Sequence, residues 1–456
     1  MAEATHTDMN QTNLASDESA QQRAELQRLL SSQPSDLSSN HFQQPHAEDE
    51  EINIDIKALI EISEDGLLSP LCCIYRVPTT IRHLNNEAYT PKVVSIGPFH
   101  HGDKRLQEME RHKEIMLKRF AQRAMTDLDS LVNFTKQSES KVRASYFERI
   151  NYDKKDLVKL ILVDSAFIIQ LFIMTFEGRM IPDAKLSQSW LDNAISKDLL
   201  LLENQLPLFF LDELYNIAFP HNGRGHRPSF LQLTYSYFDY LNMQMFEPHL
   251  EIKHFTDLLR SCHLPRSLTR RSMFLPEVHN DILLYSAKQL EEVGLRFRSS
   301  SSKCLLDLKY SNNVLEVPRI RVDDDTAMIF HNMIAFEQCH YPHKHYICDY
   351  ALILDCLINS HEDVNILIRE RIIHNYLGDP SDIVRIFDRL STNLTLSNFN
   401  TEYSDICGRL NHFARDPGRQ MKRALKRQLL LSITGFVLNM LTLIQAIFSI
   451  LQVVWR

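Results

Sequence analysis

Residues 154–176 read KKDLVKLILVDSAFIIQLFIMTF, and where this stretch goes decides the fold. It is long enough to cross a bilayer, whose hydrocarbon core takes about 20 apolar residues of helix. Two charges, Lys159 and Asp164, interrupt it. A charge at bilayer depth is costly, and the chain after it continues in a soluble pattern. The stretch is therefore expected to be a core helix. A second stretch, residues 429–455, LLLSITGFVLNMLTLIQAIFSILQVVW, has no charged side chain and reads as a transmembrane helix.

Composition supports a helical domain between these limits. The chain has 456 residues, 44% hydrophobic and 24% charged, values normal for a protein with a real core. Gly is sparse, with 11 residues, and Leu is abundant, which favours helices over a glycine-rich barrel, sandwich or phosphate loop. The net charge is -8. Residues 1–51 hold ten acids and two bases, so they account for the whole excess. The remainder is near neutral and carries no basic field for nucleic acid. Residues 1–50 are polar and acidic and are expected to form a disordered tail, with a short helix near Ala24–Leu30. Residues 51–428 are expected to form the mainly helical domain. The eight cysteines show no repeated spacing and read as buried free thiols. The first residues, MAEATHTDMNQTN, show no basic stretch followed by an apolar one, so a signal peptide is not expected.

In chain order, a helix is expected to begin at Ile52. An ordered, extended segment follows, LCCIYRVPTTIRHLNNEAYTPKVVSIGPFHHGD (Leu71–Asp103), interrupted by Pro78, Pro91 and Pro98. Asp103–Val132 reads as one helix capped by Asp103. Pro207 breaks the apolar run 198–219. Helices are expected over Phe230–Met243, Glu251–Cys262 and Ile282–Val293, then a serine-rich loop over Arg298–Lys303. CLLDLKY, SNN and VLEVPRIRV (304–322) read as a β-hairpin around an asparagine turn. Helices resume at Thr326 and continue past Arg389. The fold class is mainly α: a large helical domain with a small β-hairpin and a C-terminal transmembrane helix.

Candidate chemistry is sparse. His100 and His101 precede a helix holding Glu108, Glu110 and His112, a mixture that suits a divalent cation but matches no metal spacing. Cys339, His340, His343, His345 and Cys348 supply zinc-type ligands within ten residues. Five candidates so close would have to fold back sharply near Pro342, and a helix–loop–helix junction with packed thiols is the plainer reading. Asp323, Asp324 and Asp325 read as helix-capping acids before Thr326. Glu203, Asn204 and Gln205 are expected to satisfy backbone groups freed where Pro207 breaks the helix. GxSxG, a Walker loop and a dinucleotide fingerprint are absent. No cofactor and no catalytic residue are expected. The alternative is a metal-dependent enzyme or zinc-stabilised domain built on His100/His101 or on Cys339–Cys348.

Several blocks read together: IYRVP (74–78), AYTPKVVSIGPFHHG (88–102), MERHK (109–113), DLLLLENQLP (198–207), HFTDLLR (254–260) and FEQCHY (336–341). Their order, with the terminal span, resembles the plant family called "domain of unknown function 247". The resemblance implies a plant membrane-associated protein with no established enzymatic activity. Some grass relatives are linked to pollen–stigma self-incompatibility, which implies a recognition role for those members.

Topology follows from charge. Arg415, Arg419, Lys422, Arg423, Lys426 and Arg427 precede the span and Arg456 follows it. The positive-inside rule then keeps the large N-terminal part cytosolic, as a tail-anchored protein of the plasma membrane or an endomembrane. The expected partners are membrane lipid, through 429–455, and a protein. Asn10, Asn133 and Asn393 lie in glycosylation sequons. Sugar on any of them would place the domain in the lumen.

Overall fold

The stretch 154–176 runs through the middle of the domain, with residues 157–174 buried except for Lys159. The computed structural model describes residues 69–178, 188–220, 227–245, 251–265, 282–394 and 399–454. The expected acidic tail, the helix near Ala24–Leu30, the helix beginning at Ile52 and Asn10 lie outside these residues.

The first helices are α1 (Thr79–Arg82), α2 (Gln107–Arg123), α3 (Leu128–Arg143) and α4 (Lys154–Phe176). They are followed by α5 (Ser189–Asp198), α6 (Leu208–Ala218), α7 (Phe230–Tyr237) and α8 (Phe255–His263). Asp153 caps α4 by accepting the amide of Asp156 at 2.7 Å. Helices α2, α3, α6 and α7 pack around α4. Leu157, Ile161, Phe167, Ile168, Leu171 and Phe172 have no exposed surface. Phe172 sits among Tyr237, Phe255, Phe238 and Phe230, with ring centroids 4.4, 5.5, 5.8 and 5.9 Å away. Such a cluster supplies much of the core's burial.

The expected single helix from Asp103 is two. Asp103 does cap its start, accepting the amide of Arg105 at 2.9 Å. The chain then breaks at Ala124–Asp127, where Asp127 caps α3 through the amide of Ser130. The break serves α6, because Met125 donates its amide to the Ala218 carbonyl and Thr126 its hydroxyl to Ile217. Carbonyls at a helix end need such donors.

The second half holds α9 (Ala287–Glu292), α10 (Thr326–His340), α11 (Tyr346–Leu357), α12 (His361–Arg369) and α13 (Pro380–Ser391). Helices α14 (Thr401–Arg415) and α15 (Pro417–Val454) follow. Helix α10 packs on α8 and joins the halves. The strands are β1 (Arg296–Ser300), β2 (Lys309–Ser311), β3 (Val314–Pro318), β4 (Ile320–Val322) and β5 (Ile373–Asn375).

The hairpin is present as β2–β3, with Ser311 opposite Val314. Asn312 and Asn313 both have positive φ, 50° and 60°, the geometry of a two-residue type I′ turn that asparagine tolerates. Two details differ from expectation. Arg298–Ser300 are not loop but part of β1, which pairs parallel with β3. Ile320–Val322 leave the hairpin to pair with β5. Both pairings join distant segments that local patterning cannot report. The helix expected over Ile282–Val293 is shortened to α9, which starts at a Ser286–Gln289 capping box.

Candidate functional site

The sequence blocks meet around a buried polar scaffold. Its origin is the proline-broken segment 91–100, whose amides have no sheet or helix to join and must find acceptors elsewhere. Asp198 accepts the amides of Val93, Val94 and Lys92 at 2.7, 2.9 and 2.9 Å. Asn204 accepts the amide of Ile96 at 2.7 Å and donates to the carbonyls of Val94 and Asp198. Asp164, in the middle of α4, accepts the amide of Gly97 at 2.8 Å and the ammonium of Lys113 at 2.7 Å. Gly97 has φ +72°, and a Cβ there would lie 2.5 Å from the Gln205 carbonyl oxygen, so only glycine fits.

Glu203 accepts the amide of Val77 at 2.8 Å and Arg82 at 2.5 Å, and its second oxygen lies 3.3 Å from His100 Nε2. Gln205 donates to the carbonyls of Leu199 and Leu201, as expected near a proline break, and also accepts the amide of Phe255. His254 Nε2 donates to the Cys73 carbonyl while Nδ1 accepts the amide of Asp257. Arg260 pairs with Glu337 at 2.7 Å. The other Glu337 oxygen accepts the amides of Ile347 and Cys348 at the start of α11.

Electrostatics follow from these contacts. Burial acts against the Lys113 ammonium, but Asp164 and Glu110 outweigh it and raise its pKa. Burial lifts Asp164, opposed by that same ammonium. Burial pushes Asp198 up to about 6 against the pull of three amides. Burial also works to raise Glu203, yet His100, the Val77 amide and Arg82 hold it below the usual range. Burial drives His254 down to about 3, so it is a neutral cap.

The proposed metal ligands are not gathered. His100 belongs to Glu203, and His101 lies 4.0 Å from Glu110 and edge-on to Tyr152. His340 pairs with Tyr75 at 2.9 Å and stacks on Phe336. Cys348 is buried and faces the Ile334 carbonyl and Gln338. Cys339 is half-buried, His343 exposed and His345 buried. Among the described residues no three His, Cys, Asp or Glu side chains come together as a metal set. The acidic triplet before α10 does form a turn, but Asp323 makes it, accepting the Asp325 amide and the Thr326 hydroxyl.

An open site that no motif announces lies beside α5. A cleft of about 250 Å³ is bounded by segment 85–92, α5 and the start of α10. Its walls are pinned by Asp198, by the Lys197–Asp325 pair at 2.8 Å, and by Asn332, which accepts the Leu202 amide and donates to the Ala88 carbonyl. Trp190 at its edge is 61% exposed. On the other flank of α5, exposed Tyr240 meets Ser196 at 2.8 Å. Four acids (Glu87, Asp198, Asp324, Asp325) and two bases (Lys92, Lys197) line the cleft, a balance of minus two.

Helix α15 has 38 residues, about 57 Å at the α-helical rise. Its base is fastened to the domain by Arg423–Glu292 at 2.7 Å and by Arg419 stacked 3.8 Å over Phe413. Beyond it, Ser432–Ser449 has a mean hydropathy of 1.6 and none of it is buried. By length and composition, both this helix and α4 could cross a membrane.

A mainly helical domain with a polar scaffold and a long apolar terminal helix is the class these features define. Residues 74–452 match the model of the family described as "Plant protein of unknown function", domain of unknown function 247, and the chain belongs to that family. It is 30% identical to the Arabidopsis thaliana UPF0481 protein At3g47200 over 373 residues, 75% of this chain and 77% of that protein. It is 31% identical to a second Arabidopsis UPF0481 protein, At3g02645, over 161 residues, 35% of this chain and 30% of that one. No solved structure matches the chain significantly.

Proposed function

We propose that this chain is a membrane-anchored, non-catalytic interaction protein, held in the bilayer by α15 and presenting its helical domain to a protein partner on the cytosolic side. The observation that carries this reading is the fully exposed apolar surface over Ser432–Ser449, with Phe436, Leu438 and Phe448 each more than 60% exposed. Water does not tolerate so long an apolar surface, and lipid does. The basic residues at the helix base favour the cytosolic side. The recognition role is supported by an exposed tryptophan and tyrosine flanking α5, residue types enriched where proteins meet.

Alkaline carbonate extraction of membranes tests the anchor. The full chain is expected to stay in the pellet and a chain ending at Gln428, which keeps the Arg423–Glu292 contact, to be released. Equal behaviour of the two would sink the proposal. Asn133 and Asn393 are both exposed, so glycosylation of either would reverse the topology.

A further inference from the structure

We infer that the cleft beside α5 is the docking site for an arginine side chain carried on an extended segment of the protein partner. The inference rests on the interaction role proposed above and names the chemistry of its site.

Three features of the cleft converge on this occupant. The first is charge. Glu87 and Asp324 are exposed, and neither meets an ion-pair partner among the described residues, whereas Asp325 is already held by Lys197. With Asp198 buried at the base, the lining favours a cation and repels phosphate or carboxylate ligands. The second is the indole. Trp190 donates its ring N–H to Gln188 and is 61% exposed. A tryptophan face is the best aromatic partner for a guanidinium, which stacks as a plane and binds carboxylates with two parallel hydrogen bonds. The third is size and floor. At about 250 Å³ the cleft is smaller than the usual small-molecule pocket, roughly 300–1,000 Å³, and suits one long side chain. Ala88, Leu201 and Met328 give an apolar floor for the methylene stem of that side chain.

The site is also built before the ligand arrives. Asp198 holds one wall, Asn332 ties the floor to α10 and Lys197–Asp325 closes the far edge. A preformed cleft reduces the ordering cost of binding, and a single buried arginine is a common anchor at interfaces.

Trp190 reports on the cleft directly. The chain has two tryptophans, Trp190 and Trp455, so Trp455→Phe leaves Trp190 as the sole emitter. Full-length protein in detergent micelles would be titrated with octa-arginine, octa-lysine and octa-glutamate. Octa-arginine should change Trp190 emission in a saturable, salt-sensitive way, octa-lysine more weakly and octa-glutamate not at all. Glu87→Gln with Asp324→Asn should weaken octa-arginine about tenfold, the scale of two partly exposed charge pairs. Lys92→Gln should tighten it, an effect that misfolding cannot imitate. Equal affinity for octa-glutamate, affinity unchanged in the charge variants, or a response to neutral sugars alone would each overturn the inference. The carbonate test on the same proteins keeps the two ideas apart. Failure of the Trp455→Phe protein, its cleft otherwise unaltered, to bind octa-arginine while it stays in the pellet refutes the cleft, and its release from the pellet with arginine binding intact refutes the anchor.

Discussion

Helix α4 is the more apolar of the two long helices, with mean hydropathy 2.2 against 1.6 over Ser432–Ser449. Yet the most apolar 18-residue stretch of α4 is 94% buried inside the domain and Ser432–Ser449 not at all. Hydropathy tells a helix to leave water but does not say where it goes. Helix α4 goes into protein because four helices cover its faces and because its one deep charge, Asp164, finds an ammonium and an amide there. Lipid offers neither. Ser432–Ser449 has no charge to satisfy and, among the described residues, nothing that buries it, and lipid is the proposed surrounding for it instead.

The sharpest way to break this contrast is to remove the partner of Asp164. Lys113→Met should cost about 3–5 kcal/mol, because a carboxylate is left buried without its cation. Adding Asp164→Asn should recover part of that loss, and denaturant unfolding in micelles measures both. If Lys113→Met costs nothing, the pair does not explain why α4 is a core helix. Next in size is Gly97→Ala, expected to cost about 1–3 kcal/mol because φ is positive and the new Cβ meets the Gln205 carbonyl. A stability equal to the parent's would show that the segment can move away from α4.

Asp349 sharpens the comparison from within the domain, since it is a buried carboxylate with no ion-pair partner among the described residues. Burial, with Glu337 nearby, pushes its pKa up to about 8 from an ordinary 3.8, opposed by the Asn400 amide. Folding therefore favours the neutral acid. Its stabilisation is complete below about pH 4 and is lost as pH rises toward 8. Asp349→Asn should flatten that part of the stability–pH curve and raise the Tm at pH 8 by about 2–4 °C, the equivalent of about 1 kcal/mol. A Tm at pH 8 that falls instead would mean the carboxylate is stabilising. The smallest effect belongs to the terminal helix. Phe448→Ala should change domain stability by less than about 0.5 kcal/mol, whereas Phe172→Ala in α4 should cost about 3–5 kcal/mol. Thermal melts of the two variants side by side test whether the helices truly differ in environment.

Much of the fold was legible locally. The capping acid Asp103 acts on an amide two residues away, and the Asn312–Asn313 turn needs only its own two residues. The site was less legible. Glu203, Asn204 and Gln205 were visible as backbone satisfiers, but the amides that Glu203 and Asn204 hold lie 126 and 108 positions away. The cysteine and histidine run looked like a ligand set because the residues are close in sequence. The turn between α10 and α11 places Cys348 in the core while His340 goes to Tyr75. The cleft gave no signal because its lining comes from three separated segments and matches no motif.

By itself, then, the sequence determined the helical class, the hairpin and the charge-free terminal stretch. Each of these depends on spacing within a few residues, where helix and turn geometry act. The tertiary structure alone decided which buried polar groups are partners, that β1 and β5 join β3 and β4, and that Trp190 stands over an acidic cleft. Those outcomes depend on which distant segments lie within hydrogen-bonding distance, and a hydrogen bond that reaches about 3 Å has no counterpart in separation along the chain.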